Sequence, residues 1–77
     1  MSMEEEIAIL KPWAANDEHH FDIVRFAVEV DGVRVYSLAR EVSRGHKTGM
    51  PFYAVVRDGE PAMLDEDSVI YANAYPN

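Results

Sequence analysis

The sequence FAVEVDGVRVY at residues 26–36 decides the fold, because two alternating apolar runs flank the dipeptide Asp31-Gly32. Asp-Gly provides the two positive φ angles that a type I′ turn requires, and such a two-residue turn joins antiparallel strands. The turn sets the pairs Val30–Val33, Glu29–Arg34, Val28–Val35 and Ala27–Tyr36. This stretch therefore predicts a β-hairpin.

The alternation in this hairpin divides its side chains between two faces. One face carries Glu29 and Arg34 as a cross-strand ion pair. A slip of one residue would bury Glu29, so the register is well specified. The other face is apolar and is expected to form the core, with Val24, Phe26, Val28, Val30, Val33 and Val35.

A second Asp-Gly pair, Asp58-Gly59, lies between two further strand-like segments. FYAVV at residues 52–56 precedes it and PAML at residues 61–64 follows it. We expect another hairpin there. Proline cannot donate to a strand ladder, so Pro61 should keep the returning strand short or at an edge of the sheet.

The segments outside the hairpins predict one more strand and one helix. IAIL at residues 7–10 is typical of a strand, which would end at Lys11-Pro12. Residues 38–44 predict a short helix, with Ser37 as its cap and Gly45 at its end.

Residues 66–75 fit two structures. Ser68 and the acidic residues before it could cap a helix, since carboxylates are favourable at the positive end of the helix dipole. The apolar residues Val69, Ile70 and Tyr71 favour a strand, which is the interpretation we take. The expected fold class is α+β, with a small, mostly antiparallel sheet of about five strands, two Asp-Gly hairpins and one short α-helix near residues 38–44.

Length and composition indicate one small folded domain. The chain has 77 residues, of which 48% are hydrophobic, and a chain of this size has a marginal core. We expect residues 1–77 to form a single domain with residues 1–5 and 76–77 frayed. With no cysteine, the chain can form neither disulfides nor zinc sites that need sulfur, which fits a reducing compartment.

The sequence also predicts a cytoplasmic protein without a membrane segment. Residues 1–6 are acidic, whereas a secretory signal begins with basic and then apolar residues. The longest apolar run, residues 52–56, is far shorter than the roughly 20 residues of a membrane span.

Charge is divided into three blocks along the chain. Residues 1–22 sum to −5, residues 23–57 to +3 and residues 58–77 to −5, which gives the net charge of −7. Such acidity on a small body attracts basic surfaces and accelerates association with them. The candidate partner-binding residues are Glu4, Glu5, Glu6, Asp65, Glu66, Asp67 and Trp13.

The first functional hypothesis follows from this charge pattern. We expect a small acidic, non-catalytic interaction protein, an inhibitor or adaptor that occupies a basic, nucleic-acid-binding surface of a larger protein, as inhibitors from phages and mobile elements do. It should bind neither nucleic acid nor membrane directly. An alternative is a structural subunit or homo-oligomer, in which the basic middle of one copy meets the acidic ends of another.

Other chemistry has weaker support in the sequence. Arg40, Arg44 and Lys47 form a basic patch that could contact an anion. GHKTG at residues 45–49 lacks the glycine immediately before Lys47 that a phosphate loop needs. Adjacent histidines, as in DEHH at residues 17–20, point to opposite sides of an extended segment. We therefore predict no catalytic residue, metal or cofactor, and keep a weak metal- or phosphate-binding module as a second alternative.

The position of the basic patch discriminates between these hypotheses. If the fold places the acidic clusters beside Arg40 and Arg44, the charges satisfy one another. If the acidic groups lie elsewhere, they are available to a partner.

Overall fold

The computed structural model of the chain describes residues 1–16, 19–40 and 52–75. In this part of the chain the elements are helix α1 (Met3–Ala14), strands β1 (Ile23–Val30), β2 (Val33–Ala39), β3 (Phe52–Arg57) and β4 (Glu60–Met63), and helix α2 (Val69–Ala74). The strands form one antiparallel sheet in the order β1-β2-β3-β4. The α+β class is confirmed, with four strands and two helices in the described residues instead of five strands and one helix.

Strands β1 and β2 form a hairpin whose register is partly the predicted one. Asp31 and Gly32 connect them with φ angles of 49° and 80°. The pairs Val30–Val33, Glu29–Arg34 and Val28–Val35 agree with the sequence. The pair Ala27–Tyr36 is wrong, because a bulge at Ala27 pairs Tyr36 with Phe26.

The bulge changes which side chains of β1 share a face, so the single apolar face predicted for this strand is also wrong. An extra residue in one strand reverses the alternation beyond it. Val24 packs with the cluster under α1, whereas Val28 and Val30 pack with the cluster under α2. Phe26 remains 40% exposed.

Strands β3 and β4 form the second hairpin, in which Arg57 faces Glu60 across the residues Asp58 and Gly59. Strand β4 is a four-residue edge strand, and Pro61 lies in it opposite Val56. In an antiparallel meander the β1–β2 and β3–β4 connections lie at the same end of the sheet. We call this the turn end.

The two helices cover opposite faces of the sheet. The α1 face is built around Leu10 and Ala14 of the helix and Tyr36, Leu38 and Ala54 of the strands. The α2 face is built around Tyr71 and Ala74 of the helix and Val35, Tyr53 and Val55 of the strands. Because successive side chains of β2 and β3 point to opposite faces, these two strands contribute to two separate apolar clusters.

The predicted strand at residues 7–10 is wrong, because these residues lie inside α1. The helix begins with a capping box: the Ser2 hydroxyl accepts from the Glu5 amide, and the Glu5 carboxylate accepts from the Ser2 amide. Leu10 and Ala14, four residues apart, are fully buried. Pro12 lies in the last turn, so the helix ends soon after the hydrogen bond that proline removes.

The strand favoured at residues 66–75 is also wrong. Val69–Ala74 is helical because the Ser68 hydroxyl caps it, accepting from the Tyr71 amide at 2.9 Å. Tyr71 and Ala74 then share the buried side at a helical spacing of three. Local capping and burial thus override the strand propensity of the apolar residues.

The helix predicted at residues 38–44 does not begin where we expected. Leu38 and Ala39 belong to β2, because they pair with Val24 and Ile23 of β1. Residues 41–44 lie outside the described residues, as do 76–77. Residues 1–5, expected to fray, contain the cap and the first turn of α1.

Candidate docking surface

Glu6 is bound within the chain. Its carboxylate Oε1 accepts a hydrogen bond from the Tyr36 hydroxyl at 2.6 Å and forms an ion pair with Arg34 at 3.1 Å. Arg34 also donates to the carbonyl of Met1 at 2.9 Å. Burial and then the hydrogen bond to Glu6 raise the pKa of Tyr36, so this phenol is a neutral donor. Glu6 therefore joins α1 to the sheet.

Glu5 is also engaged within the chain. Hydrogen bonds from the backbone and side chain of Ser2 lower the pKa of the Glu5 carboxyl. Of the three acidic residues in the first turn of α1, Glu4 alone has no recorded side-chain bond in the described part of the chain. It is exposed.

The second acidic cluster lies at the other end of the sheet. The Leu64 amide donates to the carbonyl of Tyr53 at 2.8 Å, which places the exit of β4 about 13 Å along β3 from the turn end. Asp65 accepts from the Asp67 amide at 3.2 Å and leads into the cap of α2. Asp65, Glu66 and Asp67 are all exposed. The two predicted clusters therefore do not form one surface.

Trp13 and Arg40 lie in an aromatic group beside the C-terminal end of α1. The Trp13 ring is half-buried, with its centroid 4.8 Å from that of His19. The Arg40 guanidinium stands 4.7 Å from the centroid of Phe21 and donates to the carbonyl of His19 at 2.9 Å. Arg40 is therefore held by a ring and a carbonyl rather than by a predicted acidic cluster. Arg44 and Lys47 lie outside the described residues.

The turn end carries an acidic surface that was not predicted from the sequence. Asp31 and Asp58 are exposed and occupy corresponding positions in the two turns. The turn centres are two strand spacings apart, roughly 10 Å. The N-terminus of α1 lies at the same end, because the Met1 carbonyl accepts a hydrogen bond from Arg34 and the Met1 side chain lies beside Gly59. We define the turn-end surface as Glu4, Asp31 and Asp58.

This surface had a signal in the sequence. In a four-stranded meander the first and third connections lie at the same end of the sheet, so the two Asp-Gly turns would predict this surface once the strand order is known. In the sequence Asp31 and Asp58 predict only the backbone conformation of the turns, and runs of consecutive acids are the more obvious candidates for binding a basic partner.

The predicted ion pair between Glu29 and Arg34 is wrong, because Arg34 pairs with Glu6 although Glu29 lies opposite it in the strand register. Glu29 and Glu60 are left out of the surface because each has an arginine, Arg34 or Arg57, opposite it across the strands.

Residues 1–16, 19–40 and 52–75 form neither a metal-binding cluster nor a membrane-spanning helix. Within these ranges no group of three His, Asp or Glu side chains is arranged to hold a metal ion. None of the helices there has the length and apolarity needed to cross a membrane.

Comparison of the chain with protein-family models, with curated proteins and with solved structures gives no match. Its function must therefore be inferred from its own residues.

Proposed function

We propose that the protein is a small non-catalytic interaction protein, an inhibitor or adaptor whose turn-end surface occupies a basic, nucleic-acid-binding surface of a larger protein. The observation that carries this proposal is the exposure of Glu4, Asp31 and Asp58 at one end of the sheet. Among the described residues none of the three side chains forms a hydrogen bond or an ion pair within the chain. A cytoplasmic location, expected from the sequence, belongs to the same proposal.

The chemistry of the surface suits a basic partner. Carboxylates on a body of net charge −7 produce a field that attracts Arg- and Lys-rich surfaces and raises the association rate. Asp31 and Asp58 sit on two-residue turns whose backbones are fixed by the adjoining ladders. Their charges are thus presented with little conformational entropy to lose on binding.

The proposal predicts a partner that also binds nucleic acid. The protein is immobilised and incubated with extract of its native host at low and at high salt, and a captured protein is then purified. We expect a basic protein that is released at high salt and whose complex is disrupted by added nucleic acid. A partner that keeps its affinity at high salt and binds nucleic acid and this protein together would contradict the proposal.

A homo-oligomeric structural subunit is the second candidate, and the position of β1 at an edge of the sheet favours it. This strand has eight residues and no proline, and among the described residues β2 is its one strand neighbour. Phe26, which lies on it, is 40% exposed. An uncovered edge strand can pair with a second copy. Light scattering distinguishes the candidates: a dimer whose mass is unchanged by salt favours self-assembly, and a monomer favours the separate partner.

A further inference from the structure

The two Asp-Gly turns have a covalent chemistry that the proposed function does not use. In an Asp-Gly dipeptide the backbone nitrogen of glycine can attack Cγ of aspartate. The new N–Cγ bond closes a five-membered succinimide, the Cγ–OH bond of the protonated carboxyl breaks, and the departing hydroxyl takes the amide proton and leaves as water. Hydrolysis at either ring carbonyl restores one water and gives aspartate or isoaspartate. Glycine favours this step because it has no side chain to obstruct the ring.

Both sites are accessible to this reaction. Asp31, Gly32, Asp58 and Gly59 are exposed. In a two-residue type I′ turn the amide of the second turn residue has no place in the ladder, which begins at the following residue. The attacking nitrogens of Gly32 and Gly59 are therefore not engaged in hydrogen bonds of the strand ladder.

The two hairpins differ in how firmly they hold their turns. Ring closure requires the turn to leave its folded conformation, so it follows local opening. The turn at Asp31 joins strands of eight and seven residues. The turn at Asp58 leads into β4, an edge strand of four residues whose Pro61 has no N–H and can donate to no partner on its outer edge. Opening should therefore be easier at Asp58.

We propose that Asp58 is a site of spontaneous isoaspartate formation in the folded protein, and that it reacts ahead of Asp31. Isoaspartate carries an additional methylene in the backbone, so the two-residue turn no longer fits between Arg57 and Glu60. The net charge stays the same while the carboxylate moves. The effect of isoaspartate on docking rests on the proposed function, whereas the formation of isoaspartate does not.

The reaction is measured by incubating the folded protein at physiological temperature and near-neutral pH. Peptide mapping locates isoaspartate at each site over time, and hydroxylamine traps the succinimide. The same chain incubated in denaturant is the reference, because both turns are open there. We expect isoaspartate at both sites in denaturant, and at Asp58 well before Asp31 in the folded protein. Equal protection of both sites, or reaction at Asp31 first, would overturn the proposal.

A charge-conserving variant provides the control. Asp58→Glu cannot form the five-membered ring, so peptides covering this position should remain unmodified while Asp31 reacts at its former rate. Circular dichroism verifies that the variant is folded. Continued isoaspartate signal from this peptide would show that the signal arises from another residue. Partner affinity is compared before and after ageing, and an unchanged affinity with isoaspartate present would count against the docking role of Asp58 alone.

Discussion

The Tyr36 hydroxyl, fully buried in the sheet, donates a hydrogen bond of 2.6 Å to the Glu6 carboxylate of α1. This bond joins residues that are 30 positions apart in the chain. It explains why a residue expected to bind a partner instead holds the helix on the sheet.

Removing the acceptor should destabilise the protein. In Glu6→Ala the buried hydroxyl loses its partner, which typically costs about 1–3 kcal/mol in the free energy of unfolding. Tyr36→Phe removes the donor and should cost about 1 kcal/mol. Urea unfolding of both variants and of the double variant measures the coupling. The double variant should lose less than the sum of the single losses, and strict additivity would contradict the bond.

The capping box of α1 gives a second prediction. Ser2→Ala removes the hydroxyl that accepts from the Glu5 amide, so the free energy of unfolding should fall by about 0.5–2 kcal/mol. Ser2→Thr retains the acceptor and is the matched control. Equal stability of the Ala variant and the wild type, both measured by urea unfolding, would show that the cap contributes nothing.

The same box predicts a pH dependence. Hydrogen bonds from Ser2 lower the pKa of Glu5 below its ordinary value of 4.5. The folded protein thus favours the carboxylate, and this stabilisation is complete above the unfolded pKa and is lost as pH falls through the folded pKa. An NMR titration should give Glu5 a lower midpoint in the wild type than in Ser2→Ala. Ser2→Ala keeps the backbone amide, which is the larger cause, so it should lose only the hydroxyl's share of the shift, and a wild-type Glu5 midpoint at or above 4.5 would contradict the assigned causes.

Pro12 should limit the stability of α1. Its ring nitrogen cannot donate a hydrogen bond to the carbonyl four residues earlier. Because Pro12 is exposed and lies in the last turn, the helix loses only this one hydrogen bond near its end. Pro12→Ala should therefore raise the free energy of unfolding, on the order of 1 kcal/mol, by restoring a donor and improving helix propensity. Thermal unfolding followed by circular dichroism measures the change. A lower melting temperature would indicate that proline fixes the end of the helix.

Gly32 should be difficult to replace although it has free space around it. A Cβ at this position would meet no atom within 4 Å, but φ is +80°. The cost of Gly32→Ala is then conformational, about 1–2 kcal/mol for a left-handed residue with a side chain. Asp31→Asn should be nearly neutral, because asparagine also adopts this conformation. A neutral Gly32→Ala in urea unfolding would show that the turn can rearrange.

The part of the fold that could be predicted is the part governed by local chemistry. Asp31-Gly32 predicts the turn and the pairs next to it, because a two-residue turn leaves few registers. The bulge at Ala27 could not be predicted, since it depends on how β1 packs against both helices. Beyond it, Phe26 and Val28 lie on different faces despite their spacing of two.

The helices failed as predictions for a different reason. IAIL at residues 7–10 suits a strand, whereas the signal for α1 lies upstream in Ser2 and Glu5, of which the charge pattern uses only Glu5. For α2 the cap Ser68 was recognised, but β propensity was given more weight. Of the candidate site, Glu4 was predicted, whereas Asp31 and Asp58 were used only as turn residues. Their joint position requires the strand order to be known.

The central claim is that charge at the turn end, rather than total charge, binds the partner. Asp31→Asn/Asp58→Asn removes two charges there and keeps the turn chemistry, while Glu66→Gln/Asp67→Asn removes two at the far end. Asn-Gly deamidates, so fresh protein of verified mass is used. With the captured partner, calorimetry should give a clearly weaker affinity for the first variant and a nearly unchanged affinity for the second. Equal losses in both, or a loss in the second alone, would contradict the claim.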